Sequence, residues 1–124
     1  MIGIGTDIVE IDRVEAVWRR HGERFEQRIL TPDEVLICQA KAQPWRYLAK
    51  RFAAKEAVAK SIGTGIGVEL SWQDIELRAH PSGAPVVHLS PRGSALAKKK
   101  GGSTVMLSLS DERAYAVAFA LLLA

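Results

Sequence analysis

Two carboxylates sit where the sequence disfavours them. Asp7 falls inside an Ile- and Val-rich stretch, residues 2–11, whose alternation predicts a β-strand with Gly3, Gly5, Asp7, Val9 and Ile11 on one face. Aspartate is a poor mid-strand residue, and the glycines on its own face clear space beside it. Glu56 falls in residues 45–62, a run without glycine or proline, rich in alanine and stopped by Gly63, which predicts a long helix. On that helix Trp45, Leu48, Ala49, Phe52, Ala53 and Ala57 form an apolar arc, and Glu56 lies within it on the row of Leu48 and Phe52. An ionised carboxylate buried without a partner is costly, so a cation is expected nearby: Lys60 one turn on, an arginine, or a metal.

Each residue alone has a plainer explanation. A Glu56–Lys60 pair at i, i+4 accounts for a carboxylate at the core edge, and Asp7 equally suits backbone bonding at a strand irregularity. Together, one carboxylate from a strand and one from a helix suit magnesium, which takes one or two protein carboxylates and fills its octahedron with water and phosphate oxygens. Such a site implies a phosphorylated substrate. Arg51 and Lys55 share another i+4 row; with Lys60 they form a candidate phosphate cradle, set against the commoner reading of a solvated face. Gly63-Thr64-Gly65-Ile66-Gly67 follows a helix and lacks the ending and order of a nucleotide-binding loop, so it reads as a helix stop and turn.

Composition bounds the alternatives. A chain of 124 residues, 48% hydrophobic and 25% charged, predicts one globular domain over residues 1–124. A domain this small gains stability from self-association. The net charge of +3 favours an anionic ligand without choosing among phosphate, acidic protein and nucleic acid. Cys38 is the only cysteine, which excludes an internal disulfide, and His21, His80 and His88 lack zinc-site spacing. The longest apolar stretch, residues 114–124, is about half of what a bilayer requires. Met1-Ile2-Gly3-Ile4-Gly5 lacks the pattern of a secretory signal, so no membrane span and a cytoplasmic location are expected.

The remaining elements follow from local signals. A short helix is expected over residues 14–20. Thr31-Pro32-Asp33-Glu34 is a helix start with a capping box, and that helix should end before Pro44. Residues 74–79 and 86–89 read as strands around Pro81-Ser82-Gly83, and Ser90-Pro91 opens a helix toward Lys100. Residues 104–110 and 114–123 alternate strictly, the second placing Tyr115, Val117, Phe119, Leu121 and Leu123 on one face and mainly alanines on the other. A closing hairpin that turns near Asp111-Glu112-Arg113 is predicted. The fold class is α+β, an antiparallel sheet packed on the long central helix.

Gly5-Thr6-Asp7-Ile8-Val9-Glu10 and Arg51-Phe52-Ala53-Ala54-Lys55-Glu56-Ala57-Val58-Ala59-Lys60 resemble the two signatures of the acyl-carrier-protein synthases, within the 4′-phosphopantetheinyl transferase family. The likeness extends over nearly the whole chain, through residues 25–30, Gly63-Thr64-Gly65 and Ser82-Gly83-Ala84-Pro85. The resemblance implies that Asp7 and Glu56 hold magnesium, that Glu56 and Lys60 serve catalysis, and that Arg51, Lys60, Gly83, Pro85 and Ser110 contact coenzyme A. It further implies transfer of 4′-phosphopantetheine from coenzyme A to a serine of apo-acyl-carrier protein, releasing adenosine 3′,5′-bisphosphate. Fatty acid biosynthesis is the implied pathway, and homotrimers with sites between subunits the implied assembly. Three groups remain open as the base that takes the serine proton: Glu56, a water on the metal, or deprotonated Lys60.

Arg13, Arg20, Arg24 and Arg28 cluster early in the chain and suit docking of an acidic carrier protein; solvent exposure explains them equally well. Two positions depart from the family pattern. Asp111 follows Ser108-Leu109-Ser110 where many relatives carry histidine, and Ala84 stands where relatives often have lysine. A nucleic-acid-binding module, suggested by a pI near 9.2, lacks exposed aromatics or a groove-reading element. A non-catalytic subunit explains the closing hairpin but not the paired signatures.

Overall fold

The computed structural model describes residues 2–124; Met1, where the reading of a signal-free start begins, lies outside them. Strand β1 (Gly3–Glu10) runs directly into helix α1 (Ile11–His21), so Ile11, expected to end the strand, begins the helix instead. Gly22, at φ 53°, turns the chain into α2 (Glu23–Ile29), a helix that the sequence reading lacks. Helix α3 (Pro32–Gln39) starts at the expected capping box: Glu34 N donates to Thr31 Oγ1 at 3.4 Å, and Thr31 N donates to Glu34 Oε1 at 2.9 Å. Helix α4 (Pro44–Ile62) is the expected long helix, closed by Gly63 at φ 96°.

A 3₁₀ turn (Trp72–Asp74) leads into the hairpin of β2 (Ile75–Ala79) and β3 (Pro85–Leu89), followed by α5 (Pro91–Lys99) and the closing hairpin of β4 (Thr104–Asp111) and β5 (Tyr115–Leu123). Asp74, expected as a strand residue, caps instead: it accepts from Ser71 N at 2.8 Å, Ser90 Oγ at 2.7 Å and Arg92 Nη2 at 2.6 Å. Burial opposes its ionisation, but the bonds from Arg92, Ser90 and Ser71 prevail and hold its pKa at about 2. The main sheet has the order β1-β5-β4, antiparallel throughout; β2 and β3 form a separate two-stranded ribbon. The α+β architecture is the one expected.

The contact between α4 and the sheet is a seam of small residues. Ala116, Ala118, Ala120 and Leu122 of β5 are buried beneath Ala53, Ala57 and Val58 of α4. On β1 the approach is closer still: a Cβ on Gly3 would lie 1.9 Å from the Ser61 carbonyl oxygen, and one on Gly5 2.0 Å from that of Ala57. Both obstacles are backbone and cannot swing aside, so only glycine permits this spacing. On β4, Val105, Leu107 and Leu109 pack inward, whereas most of the larger residues of β1 and β5 point outward. Ile4, Ile8, Met106, Tyr115, Val117 and Phe119 all lie exposed on the opposite face, with Ile8 opposite Val117 in the β1–β5 register.

The other flank of α4 corrects one expectation. Lys55, read as part of a phosphate cradle or a solvated face, is wholly buried. Its Nζ donates to Glu34 Oε1 at 2.6 Å, Ile29 O at 2.8 Å and Trp72 O at 3.1 Å, so all three ammonium protons are used. Glu34 Oε2 also accepts from Leu77 N at 2.8 Å. Burial pulls the Lys55 pKa down, opposed by the charge and hydrogen bond of Glu34. One ion pair thereby ties α4 to the end of α2, the start of α3, the 3₁₀ turn and β2.

Candidate active site

The glycine seam sets Asp7 beside α4. Asp7 lies opposite Ala118 in the β1–β5 register, on the helix-facing side of β1 with Gly3, Gly5 and Val9. From α4, Lys60 reaches back and donates to Thr6 O at 3.0 Å and to Asp7 Oδ1 at 3.3 Å. Glu56, one turn earlier, lines a cavity of about 480 Å³ together with Asp7, Glu10, Arg13, Phe25 and Phe52. Burial raises the Glu56 pKa, the nearby Asp7 charge raises it further, and Lys60 partly offsets both. Lys60 thus bonds Asp7 rather than forming the expected i, i+4 pair, and among the described residues Glu56 makes no ion pair.

This arrangement carries surplus negative charge. Two carboxylates that sense one another share a single lysine, and among the described residues no three His, Cys, Asp or Glu side chains converge. A cation drawn to such a place must complete its coordination from outside the chain. That describes magnesium better than zinc, which favours a closed set of nitrogen and sulfur ligands.

The other expected contact residues lie elsewhere on the same chain. Arg51 lines a larger cleft of about 810 Å³ with Lys41, Arg46, Tyr47, Lys50 and Arg78, and this cleft shares no lining residue with the carboxylate cavity. The Arg51 guanidinium carbon sits 4.4 Å from the centre of the Tyr47 ring. Arg51 Nε and Tyr47 Oη are both buried without a hydrogen-bond partner. Ser110 lines a shallow hollow at the β4–β5 turn. Gly83 (φ 91°) is exposed at the tip of the β2–β3 hairpin, where Pro85 begins β3. Within one chain, Asp7, Glu56 and Lys60 come together; Arg51, Gly83, Pro85 and Ser110 do not join them.

Three of the four early arginines flank the carboxylates; Arg20 lines neither space. Arg13 lines the carboxylate cavity, while Arg24 and Arg28 line an adjoining hollow of about 490 Å³ with His21 and Trp72. Val17, Phe25 and Phe52 border both spaces, which makes a continuous apolar floor with basic rims. Sequence reasoning missed Phe25 and Tyr47 as wall residues. Tyr47 carried a usable signal, four residues before Arg51 on one helix; Phe25 carried none, because α2 itself went unrecognised.

Comparison with known proteins identifies the family and the fold. A family model described as the 4′-phosphopantetheinyl transferase superfamily matches residues 3–120. The chain is 51% identical over 122 residues, 98% of each sequence, to the holo-[acyl-carrier-protein] synthase of Shewanella amazonensis. The crystal structure of holo-[acyl-carrier-protein] synthase from Neisseria meningitidis is similar at a TM-score of 0.92 and 42% identity, covering 98% of both chains. That of Helicobacter pylori, solved in complex with coenzyme A, is similar at a TM-score of 0.84 and 34% identity, covering 96% of this chain and 98% of that one. Matched by that family model over residues 3–120 and sharing its fold with these structures nearly end to end, the chain belongs to the 4′-phosphopantetheinyl transferase superfamily.

Proposed function

We propose that the protein is a holo-[acyl-carrier-protein] synthase that moves 4′-phosphopantetheine from coenzyme A to a serine of apo-acyl-carrier protein. It is magnesium-dependent, works in the cytoplasm in support of fatty acid biosynthesis, and assembles as a homotrimer. The observation that carries the activity is the convergence of Asp7 and Glu56 on one cavity, with Lys60 bonded to Asp7 and Arg13 in the cavity wall. A bond forms between the serine oxygen and the pantetheine-bearing phosphorus, the bond from that phosphorus to the bridging oxygen breaks, and adenosine 3′,5′-bisphosphate leaves. Asp7 and Glu56 would hold magnesium, which would supply charge neutralisation to the diphosphate.

The chain's own groups supply orientation and charge. Lys60, fixed by Thr6 O and Asp7, places an ammonium where negative charge moves onto the leaving group. Phe25 and Phe52 keep bulk water from one side of Glu56. The serine proton must pass to an acceptor within hydrogen-bond reach, and the groups open to that role are Glu56, a water on the metal, and deprotonated Lys60. The hollow rimmed by Arg24 and Arg28 beside Arg13 suits an acidic carrier protein presenting its serine to the carboxylates.

Two observations support the trimer. The outer face of β1, β5 and β4 exposes Ile4, Ile8, Met106, Tyr115, Val117 and Phe119 together, an apolar patch of the kind subunit contacts cover. The basic cleft of Arg51 and the carboxylate cavity also lie apart on one chain, as halves contributed by neighbouring subunits would.

The decisive assay incubates the protein with coenzyme A, apo-acyl-carrier protein and magnesium, and weighs the carrier by mass spectrometry. Gain of one phosphopantetheine, abolished by chelator, is the expected result; an unchanged carrier mass at saturating substrates would overturn the proposal. Subunit sharing is tested by mixing Glu56→Gln with Arg51→Met after dissociation and reassembly. If each site draws on two subunits, about a quarter of the sites in randomly mixed trimers are intact and activity returns. No return of activity counts against shared sites.

A further inference from the structure

The large basic cleft contains an acid that its neighbours do not account for. Of its four carboxylates, Asp33 stands exposed in the first turn of α3 and makes no ion pair among the described residues. Glu34 is bound by Lys55 at 2.6 Å, and Glu76 accepts from Thr31 Oγ1 at 2.7 Å and from Arg78 Nε at 2.8 Å, so these two are neutralised by groups that hold them for structural reasons. Asp111 differs: its contact is Arg46 Nη2 at 3.5 Å, the longest of the ion pairs among the described residues.

Arg46 does not depend on that contact for its position. Its Nη2 donates to Glu112 O at 2.6 Å and its Nη1 to Arg113 O at 3.3 Å, which clamps the β4–β5 turn to the first turn of α4. The two carbonyls fix the guanidinium, and both members of the ion pair remain about one-third exposed. The Asp111 carboxylate therefore stands in the wall of a basic cleft of about 810 Å³ as a loosely held counter-ion, competing for a cation that is anchored by other means.

We propose that Asp111 is an internal competitor for the anionic end of the substrate: it weakens binding of the adenosine 3′,5′-bisphosphate moiety and so speeds release of that product. The proposal rests on the reading that the nucleotide end of coenzyme A occupies the Arg51 cleft. An incoming phosphate that engages Arg46 displaces Asp111 from it, yet the carboxylate stays at the cleft wall and repels the ligand throughout. Its cost falls on ground-state and product binding, so substrate affinity is exchanged for turnover.

The test measures binding of adenosine 3′,5′-bisphosphate by titration calorimetry to the wild type, Asp111→Asn, Arg51→Met, and Arg46→Met with and without Asp111→Asn. Asparagine keeps the shape and an acceptor for Arg46 while removing the charge. Asp111→Asn is expected to tighten binding about two- to fivefold, more at low salt, with an unchanged melting temperature and a lower KM for coenzyme A. In the Arg46→Met background the gain should shrink, because the cation competed for is gone. If Asp111 only supports the turn, Asp111→Asn weakens binding instead, and that sign overturns the proposal. Unchanged affinity in Asp111→Asn while Arg51→Met weakens binding also refutes it but leaves the cleft assignment standing. Unchanged affinity in both variants removes the cleft assignment together with the proposal.

Discussion

Replacing Lys55 by methionine removes a charge while nearly conserving shape, which isolates the ion pair that joins α4 to its surroundings. The variant leaves Glu34 buried, ionised and short of its closest partner, and deprives the Ile29 and Trp72 carbonyls of a donor. Breaking a buried pair by removing one member costs about 3–5 kcal/mol. Unfolding entropy near about 2.1 cal/mol/K per residue gives ~0.26 kcal/mol/K for a chain of 124 residues, so the melting temperature should fall by about 12–19 °C. Glu34→Gln in the same chain should recover only part of the loss. Glu34 accepts from Thr31 N through one oxygen and from Leu77 N through the other, and an amide must point its NH₂ at one of those donors. Urea unfolding followed by circular dichroism, at several protein concentrations to separate self-association, reads both numbers. A Lys55→Met cost below about 1 kcal/mol, or strict additivity in the double variant, would refute the claim that the pair acts as one charged unit.

Glu56→Gln should keep the fold yet lose magnesium-dependent turnover, since an amide is a poor ligand for a hard cation; wild-type rates would assign Glu56 a structural role. Without metal, the same variant should melt above the wild type at neutral pH. The Glu56 pKa is raised in the folded state, so its contribution is full below its ordinary value of 4.5 and lost as pH rises through the folded pKa; the difference in melting should close in acid. Gly5→Ala places a methyl group against the Ala57 carbonyl and should destabilise the protein by about 1–3 kcal/mol while weakening magnesium binding, measured by calorimetry. Charge reversal at Arg13 or Arg24 should raise the KM for carrier protein and flatten its salt dependence without changing the KM for coenzyme A; unchanged carrier kinetics would remove the docking surface.

The parts of the fold that were readable in the sequence are those governed by local rules. The capping box at Thr31, the glycine stop of α4 and the period-two alternation of β4 and β5 each depend on a few adjacent residues, and each formed as expected. The inward set of Glu56 followed from helical geometry alone. What escaped depends on partners distant in the chain. Lys55 looked solvated because its acceptors, Ile29 O, Glu34 and Trp72 O, come from three other segments, and carbonyl acceptors leave no trace in residue identity. The Arg46 clamp was hidden for the same reason. Helix α2 is only seven residues long and starts at a glycine without a side-chain cap, so neither length nor start signal marked it.

The missing side chains at Gly3 and Gly5 act as a calibrated spacer between a strand and a helix that each carry half of the acidic pair. Calcium and magnesium differ in oxygen distance by only about 0.3–0.5 Å, less than the retreat one methyl group would force on the backbone at this point. In the proposed magnesium site, ion preference would thus be set partly by atoms the chain lacks, and screening alanine at those two positions offers a route to retuning it without touching Asp7 or Glu56.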